Sequence, residues 1–393
     1  MTDDMAKGVD ALEQPNALTQ HIRQILSETI SRGTIAQGTA VKAISFYQYM
    51  TLCLYHHEFG YYRSGSSRIG RQGDFYTSAY IGDLMGAQLA AYILQVCQER
   101  FAHETHIELL DWGGGTGRLS RQMMDELTQN KETDKQFTLT LIEGNPEHRE
   151  TAGVQLATYI EQNQARIISS DEAEQLSWVG KPVIVVANEL LDAFPVHRIV
   201  RRGNQVREWG VYWDDSQQRF APCHLDLPEL NWSSRLQEYE IDLIDQMTFE
   251  INLEVDTWIR SLTTRMDQAV VILIDYGDET AELTASHRMD GTLLCYHQHR
   301  AHNDPYIIPG EQDLTAHVNF SLVRHVAMDC GWEEVWYGTQ KHFLVQTGVM
   351  SKLTAHQHTD PFHPEVRRNR AIRQLLLSDG MSELFKVQVL ARK

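Results

Sequence analysis

The stretch that decides the fold is IELLDWGGGTGRL, residues 107–119, in which an apolar run ends at an acid and leads into several glycines. Asp111, Gly113, Gly115 and Gly117 have the spacing D-x-G-x-G-x-G. Glycines at the end of a strand let the chain turn tightly and bring backbone N–H groups close to a ligand at the next helix N-terminus. This stretch therefore predicts a strand, a ligand-binding loop and a helix.

Short apolar segments alternate with helical segments around this loop. The predicted strands are IELLDW, FTLTLIEG, ARIIS, PVIVVANE and AVVILIDYG, followed near the end by EEVWYG and HFLVQTG. Strands that are apolar almost throughout and alternate with helices are typical of a parallel sheet covered on both faces. We therefore expect an α/β fold with a doubly wound, Rossmann-like sheet of seven mostly parallel strands.

The pattern also predicts how the chain is divided. We expect an N-terminal helical cap over residues 1–65, a core formed by 66–196 and 267–350, and a C-terminal helical tail over 351–393. An inserted arm at 197–266 is expected to contain a hairpin and one long amphipathic helix from 234 to 266. The long segment after Gly277 is predicted to be a lid loop, and Asp313 to cap the following helix, 313–330.

Composition limits the classes of function. The net charge of −18 disfavours a surface that tracks nucleic-acid phosphates. The apolar runs are far shorter than the roughly 20 residues needed to cross a bilayer, so we expect no membrane span. Five cysteines without a CxxC pair, and an N-terminal stretch without signal-peptide character, lead us to expect a cytoplasmic protein.

Three kinds of ligand use a glycine loop of this type. Dinucleotide-binding proteins have the spacing G-x-G-x-x-G/A, whereas here one residue separates the last two glycines and an acid precedes the first. A nucleoside triphosphate loop is excluded because Gly-Lys-Ser/Thr is missing. The order found here resembles the first motif of S-adenosylmethionine (SAM)-dependent methyltransferases, and a structural loop without a ligand is the alternative.

Glu143 supports a nucleoside ligand. It follows the apolar run FTLTLI, so it is expected at the carboxyl end of the strand next to the glycine loop. An acid at this place can accept hydrogen bonds from both ribose hydroxyls of an adenosyl group. The alternative is an acid in a solvated loop.

Further segments resemble one family, the SAM-dependent methyltransferases related to MidA and to the mitochondrial complex I assembly factor. The segments that carry the resemblance are YMTLCLYHHEFGYY, GDFYTS, LLDWGGGTG, ANELLDAFPVHR, DYG, GTLLCYHQHRAHNDPYIIPGEQDLTAHVNF and GTQKHFLVQTG, in the family's order. The mitochondrial member is a protein arginine methyltransferase that acts on a complex I subunit. The resemblance therefore implies SAM as cofactor, and it places Gly73, Asp74 and Thr77 over that cofactor.

The chain departs from the family in two segments. Where the family commonly has TSPE, this chain has Thr77, Ser78, Ala79 and Tyr80, so a proline and a carboxylate are missing. The first motif of the family often reads E-L-G-P-G-R-G-T, against LDWGGGTGR here. We expect the cofactor loop to tolerate its change, whereas the first departure concerns the substrate side.

Asn188, Glu189 and Asp192 are the candidate catalytic residues. They follow the apolar run PVIVVA, and Pro195 prevents a helix from continuing through the turn. Carboxylates here can bind a guanidinium, orient one of its nitrogens and accept its proton during methyl transfer. For Asp192 the alternative role is to brace the loop. The related enzymes that methylate DNA bases or glutamine resemble Asn/Asp-Pro-Pro-Tyr/Phe at this place, which disfavours those acceptors.

Two groups of histidines suggest a metal but do not have the usual ligand spacing. Cys295, His297, His299 and His302 lack paired-knuckle or H-x-x-x-H spacing, so we expect a lid with hydrogen-bonding histidines rather than zinc. His56 and His57 are expected on a helix surface. We therefore predict that this site uses no metal.

The sequence predicts a SAM-dependent methyltransferase that acts on a protein side chain, with arginine in a partner resembling a respiratory complex subunit as the favoured acceptor. Two alternatives remain open, a SAM-binding assembly factor or chaperone without catalysis, and a methyltransferase acting on a small molecule. The oligomeric state is also open, a homodimer included.

Overall fold

The computed structural model describes residues 16–36, 38–63, 83–131, 133–228, 230–298, 300–355, 358–360, 362–377 and 381–393. The helices in these ranges are α1 (Ala17–Glu28), α2 (Phe46–Tyr55), α3 (Leu84–Arg100), α4 (Arg118–Gln129), α5 (Pro146–Gln155), α6 (Ala157–Glu161), α7 (Ser170–Glu174), α8 (Trp232–Glu238), α9 (Glu254–Arg265), α10 (Thr280–Leu283), α11 (Phe320–Asp329), α12 (Gln340–Gln346), a 3-10 helix (Val349–Lys352), α13 (Pro364–Leu377) and α14 (Met381–Leu384). The strands are β1 (Arg32–Thr34), β2 (Ala40–Lys42), β3 (Ile44–Ser45), β4 (His106–Trp112), β5 (Gln136–Ile142), β6 (Ala165–Ile168), β7 (Pro182–Asn188), β8 (His197–Arg202), β9 (Gln205–Asp214), β10 (Arg219–Leu225), β11 (Thr248–Ile251), β12 (Gln268–Asp278), β13 (Leu294–His297), β14 (Arg300–His302), β15 (Asp313–Thr315), β16 (Val318–Asn319), β17 (Glu333–Thr339) and β18 (Phe385–Arg392).

The main sheet has the strand order β17-β18-β12-β7-β4-β5-β6. Its five strands from β12 to β6 are parallel to their neighbours, and β18 runs antiparallel to both β12 and β17. The strand order reverses between β4 and β7, so the connections that follow these two strands leave in opposite directions. This leaves a crevice beyond the carboxyl ends of the strands, where open α/β sheets bind ligands. Within the described part of the chain this sheet has eight strands rather than the predicted seven, because β16 also pairs with β12.

Both faces of the main sheet are covered, as the near-continuous apolar strands predict. Ile184 and Val186 of β7 face one apolar core, which α3 and α4 complete. The alternate residues Val183 and Val185 face a second core, which α9 and α11 complete. Burial on both faces explains why β7 and β12 carry so few polar residues.

A second sheet joins the arm to the N-terminal segment. Its order is β11-β8-β9-β10-β1-β2, and β3 pairs with β9. Strands from residues 32–45 therefore complete a sheet that is otherwise made of residues 197–251. The sheet, helices α1 and α2 and part of the segment 293–316 enclose a third apolar core, so the predicted cap and the predicted arm form one layer.

The predicted elements of the arm and of the lid need correction. The long helix predicted over 234–266 is wrong, because α8 ends at Glu238 and strand β11 intervenes before α9. The predicted lid loop contains a small sheet of order β14-β13-β15. Asp313 lies in β15, and the side chain of Asn319 caps helix α11.

The C-terminal prediction is also wrong in two places. Residues 342–346 of HFLVQTG, the segment predicted as the last strand, belong to helix α12, because the Thr339 side chain accepts a hydrogen bond from the backbone N–H of His342 and starts a helix. The last strand of the sheet is β18, from the tail predicted to be helical, although that tail also contains α13. Among the described residues, no helix has the length and apolar character that crossing a bilayer requires.

Candidate active site

A cleft of about 540 Å³ lies at the carboxyl ends of β4, β5 and β7. Most of the predicted loop residues line it, namely Asp111, Gly113, Gly115, Glu143, Asn188 and Glu189. Helix α2 of the cap and helix α9 of the arm form the other walls. The cleft is thus where the topology predicts a ligand, and it is closed in part by elements outside the parallel sheet.

The glycine loop needs its glycines for backbone conformation and for space. Gly113, Gly115 and Gly117 have φ angles of 76°, 54° and 76°, in the left-handed region that disfavours side chains. A Cβ atom on Gly117 would lie 2.9 Å from the Cβ of Ala152 in α5. Gly117 is the N-cap of α4, so the loop delivers the N-terminus of that helix to the edge of the cleft.

Asp111 braces this loop from below. Its side chain is buried, and the hydroxyl of Ser120 in α4 donates a hydrogen bond to Oδ2. Burial raises the pKa of Asp111 to about 6. The acid that precedes the glycines therefore links β4 to α4 and fixes the loop between them.

Glu143 is held by backbone groups on both sides. Its Oε2 accepts a hydrogen bond of 2.9 Å from the N–H of Gly115, and its Oε1 accepts one of 2.7 Å from the N–H of Asn145. Each carboxylate oxygen can accept a second hydrogen bond. The side chain lines the cleft, so it has the position and the remaining acceptors that two ribose hydroxyls require.

Asn188 and Glu189 end β7 and enter the cleft together. Glu189 has a φ angle of 54°, which is uncommon for a residue with a side chain and often marks a functional position. Its backbone N–H donates to the carbonyl of Ile274 at 2.8 Å, and its Oε1 accepts a hydrogen bond of 3.1 Å from Asn188. Within the described residues, Oδ1 of Asn188 is buried and has no hydrogen-bond partner, so it is an acceptor available to a ligand.

Asp192 lies below the cleft rather than in its wall. It is 7% exposed, and burial together with Asp275 and Asp313 raises its pKa well above the usual value. Its backbone N–H donates to Oδ2 of Asp275, which also accepts from the backbone of Leu190 and Leu191. The carboxyl group that braces this turn is therefore that of Asp275, and Asp192 is buried beside it.

Asp275 was not singled out from the sequence, although it lies in the segment DYG. Burial and the charge of Glu189 raise its pKa to about 7. Asp313 is close enough to Asp192 to contribute to its raised pKa. Its Oδ1 accepts a hydrogen bond of 2.7 Å from the hydroxyl of Tyr62, which lines the cleft. Several carboxyl groups are thus crowded together on this side of the cleft.

Aromatic residues of the cap were also missed. Tyr55 lines the cleft and donates to the carbonyl of Ala193 at 2.9 Å. Tyr47 donates to the carboxylate of Glu254 in α9, and both residues line the cleft. These contacts join cap, arm and core, and sequence spacing could not show them because the partners are more than 100 residues apart.

Some predicted site residues cannot be placed. Gly73, Asp74, Thr77 and His299 lie outside the described residues. In the histidine-rich segment, Cys295 is buried and pairs in register with His302 across β13 and β14, whereas Nδ1 of His297 contacts the carbonyl of Glu311 at 2.9 Å. His297 therefore has the kind of hydrogen bond predicted for the lid.

The polar groups that line the cleft fit SAM. Glu143 offers two acceptor oxygens for a ribose, the glycine loop allows close approach of the ligand to its backbone, and Asn188 offers a buried acceptor for a ligand N–H. A doubly wound sheet with a D-x-G-x-G-x-G loop after its first core strand and an acid after the second is typical of the class I, Rossmann-like SAM-dependent methyltransferases. The protein is therefore a SAM-dependent methyltransferase by fold and by site.

Comparison with known proteins gives the same result. The chain belongs to the family described as "Putative S-adenosyl-L-methionine-dependent methyltransferase", whose model matches residues 88–338. It is 26% identical over 319 residues to the protein arginine methyltransferase NDUFAF7 homolog, mitochondrial, of Drosophila melanogaster, covering 75% of this chain and 70% of that protein. It is 25% identical over 354 residues to NDUFAF7 of Danio rerio, covering 84% of this chain and 78% of that protein.

A solved structure resembles the whole chain. A Burkholderia thailandensis protein bound to S-adenosyl-homocysteine has a TM-score of 0.81 and 26% sequence identity, and the match covers 98% of this chain and 94% of that one. S-adenosyl-homocysteine is the product that SAM leaves after methyl transfer. The predictions of the family, the fold class and the cofactor are confirmed.

Proposed function

We propose that this methyltransferase acts on the guanidinium group of an arginine in a protein partner. The observation that carries the proposal is the set of carboxylates on the acceptor side of the cleft, where Glu189 lines the wall and Asp275 lies buried behind it. The charge of Glu189 contributes to raising the pKa of Asp275. A bound cation would offset this repulsion, and the arginine guanidinium is cationic at all physiological pH values.

The relatives support the same acceptor. The Drosophila and zebrafish proteins are named protein arginine methyltransferases, and they align with most of this chain. A respiratory complex subunit is the partner that the family resemblance implies. An acidic cleft wall is unsuited to an anionic acceptor, so the charge of the site and the relatives' names agree.

The residues of this chain would divide the reaction as follows. SAM supplies an electrophilic methyl group on a sulfonium. Glu189, whose carboxylate is oriented by the hydrogen bond from Asn188, holds the guanidinium and accepts the proton that its nitrogen loses as the N–CH3 bond forms. Tyr55 and Tyr47 line the same cleft, where their rings would limit water around the acceptor nitrogen and help to position it.

Glu189→Gln tests this assignment. Purified protein and labelled SAM are incubated with a lysate of the host, and the label is located by mass spectrometry. The variant should lose methyl transfer by at least about 100-fold, the range of general acid–base contributions, while its Kd for SAM changes less than about threefold. Glu150→Gln, on an exposed position of α5, is the matched control and should behave as wild type.

The outcomes separate the three functions. Label on an arginine that disappears with Glu189→Gln supports the proposal. Label found only in small molecules identifies a small-molecule methyltransferase. If no macromolecule is labelled and assembly of the partner complex is unaffected by Glu189→Gln, the protein is a SAM-binding assembly factor without catalysis.

A further inference from the structure

A second group of ligand-type side chains lies outside the residues that line the cleft. It consists of His358, His363 and Glu365, at the start of α13 and just before it, and one ligand atom from each lies within 4.8 Å of the other two. The proposed methyl transfer uses none of them. We propose that these three residues bind a zinc ion.

The distances are close to those of a zinc site. Nε2 of His358 and Oε2 of Glu365 are 3.3 Å apart. Two ligands of a tetrahedral zinc ion, each about 2.0–2.1 Å from the metal, are separated by about 3.3–3.4 Å. This pair therefore has the required spacing, and the third ligand atom reaches it with a movement of about 1.5 Å or less, which a side-chain rotation supplies.

The two imidazole rings stack face to face, so one ring must rotate before the lone pairs of both can point to a single ion. Their centroids are 3.5 Å apart and the ring planes differ by 18°. Nδ1 of His363 accepts a long hydrogen bond of 3.3 Å from the backbone N–H of Glu365. Zinc at Nε2 of His363 would move the ring proton to Nδ1 and break this bond, which is a small cost because the bond is long.

The donor set selects the kind of metal. Two imidazole nitrogens and one carboxylate oxygen suit zinc and related transition-metal ions, whereas magnesium and calcium prefer oxygen ligands throughout. The side chains of His358 and Glu365 are 47% and 40% exposed, so the site is open to metal from solvent. Three protein ligands leave a fourth position for water.

Hydrogen bonds hold the described residues at the start of α13. Oδ1 of Asp360 accepts from the N–H of Phe362 at 2.9 Å, and the carbonyl of Asp360 accepts from the N–H of His363 at 3.2 Å. Asn369 of α13 bonds both backbone groups of Thr354, at 2.7 and 3.2 Å. These contacts restrain the start of α13, which lowers the entropy lost when His363 and Glu365 close on a metal.

Metal titration of the full chain tests the proposal. Protein freed of metal with EDTA is titrated with zinc chloride in competition with a chromophoric chelator, and cobalt(II) replaces zinc to report coordination geometry by its visible spectrum. We expect one equivalent with a Kd in the micromolar range or below. His363→Ala and Glu365→Gln should each weaken it by at least about tenfold, since even supporting groups of metal sites contribute factors of this size.

A matched control uses another histidine–carboxylate pair. Nε2 of His325 lies 3.6 Å from Asp329 in α11, and no third ligand joins this pair among the described residues, so His325→Ala should bind zinc as wild type does. Zinc uptake unchanged by His363→Ala and Glu365→Gln, or no stoichiometric uptake at all, would show that His358 and Glu365 form an exposed ion pair only. The affinity of each variant for SAM should stay at the wild-type value, which separates this test from that of the proposed function.

Discussion

Replacing Glu143 by glutamine tests the nucleoside site most directly. The carboxylate of Glu143 accepts one backbone N–H on each oxygen and retains one acceptor position on each for a ribose hydroxyl. In Glu143→Gln one oxygen becomes an NH2 group, which faces a backbone N–H and cannot accept from the ribose. The substitution therefore removes one charge-assisted hydrogen bond and weakens the other.

The expected loss follows from these two bonds. A hydrogen bond to a charged group contributes roughly 1.5–3 kcal/mol, so the variant should bind SAM about 3 kcal/mol more weakly, or about 100-fold. Isothermal titration calorimetry with SAM and with S-adenosyl-homocysteine measures both values, and both should fall alike because the ligands share the ribose. Circular dichroism confirms that the variant is folded.

A ligand analogue separates the ribose contact from a general loosening of the loop. A 2′-deoxyadenosyl analogue lacks one hydroxyl, so Glu143→Gln should weaken its binding less than that of SAM. A folded variant that binds SAM within about threefold of wild type would falsify the assignment. Equal losses for SAM and the analogue would instead assign the effect to the loop.

Two further predictions concern the glycine loop. Gly117→Ala places a Cβ at a φ of 76° and 2.9 Å from Ala152, so the free energy of unfolding in urea should fall by about 2 kcal/mol. The control is Gly153→Ala, whose Cβ meets no atom within 4 Å and which should cause no loss of stability. The pKa of Asp111 is raised from 3.8 to about 6, so the folded chain keeps a proton that the unfolded chain releases, and stability falls as pH rises from about 4 to about 6. This fall in the free energy of unfolding should amount to at most about 3 kcal/mol, and Asp111→Asn should remove it. An unchanged pH profile of stability in Asp111→Asn would contradict the prediction.

The core of the fold could be predicted because its signals are local. The apolar runs of β4, β5, β7 and β12 and the glycines after β4 each act within a few residues, and the structure reproduces them. Strand β18 could not be predicted in this way. Its polar residues Lys386 and Gln388 suggest an exposed segment, but Nζ of Lys386 lies 3.0 Å from Asp278 and Gln388 donates to the carbonyl of Phe320. Tertiary contacts pair these polar groups inside the sheet.

The residues of the site that could be predicted are those at the ends of the strands. Glu143, Asn188 and Glu189 were found because residues at the ends of parallel strands must meet at one edge of the sheet. Asp275 and Tyr55 were not, because their role depends on neighbours from distant segments of the chain. Spacing places Asp192 with Glu189, whereas in the structure Asp192 is buried near Asp275 and Asp313 and does not line the cleft.

The position of β18 has a consequence for shortened forms of the protein. This strand is hydrogen-bonded on one side to β12 and on the other to β17, each antiparallel. Deleting residues 385–392 would leave two rows of unpaired backbone groups, one on β12 and one on β17, facing an empty gap. Loss of a strand at the edge of the sheet would leave only one such row. Exposed rows of this kind recruit strands from other molecules, so a version trimmed here should self-associate, and adding the missing octapeptide as a separate chain should restore a monodisperse species.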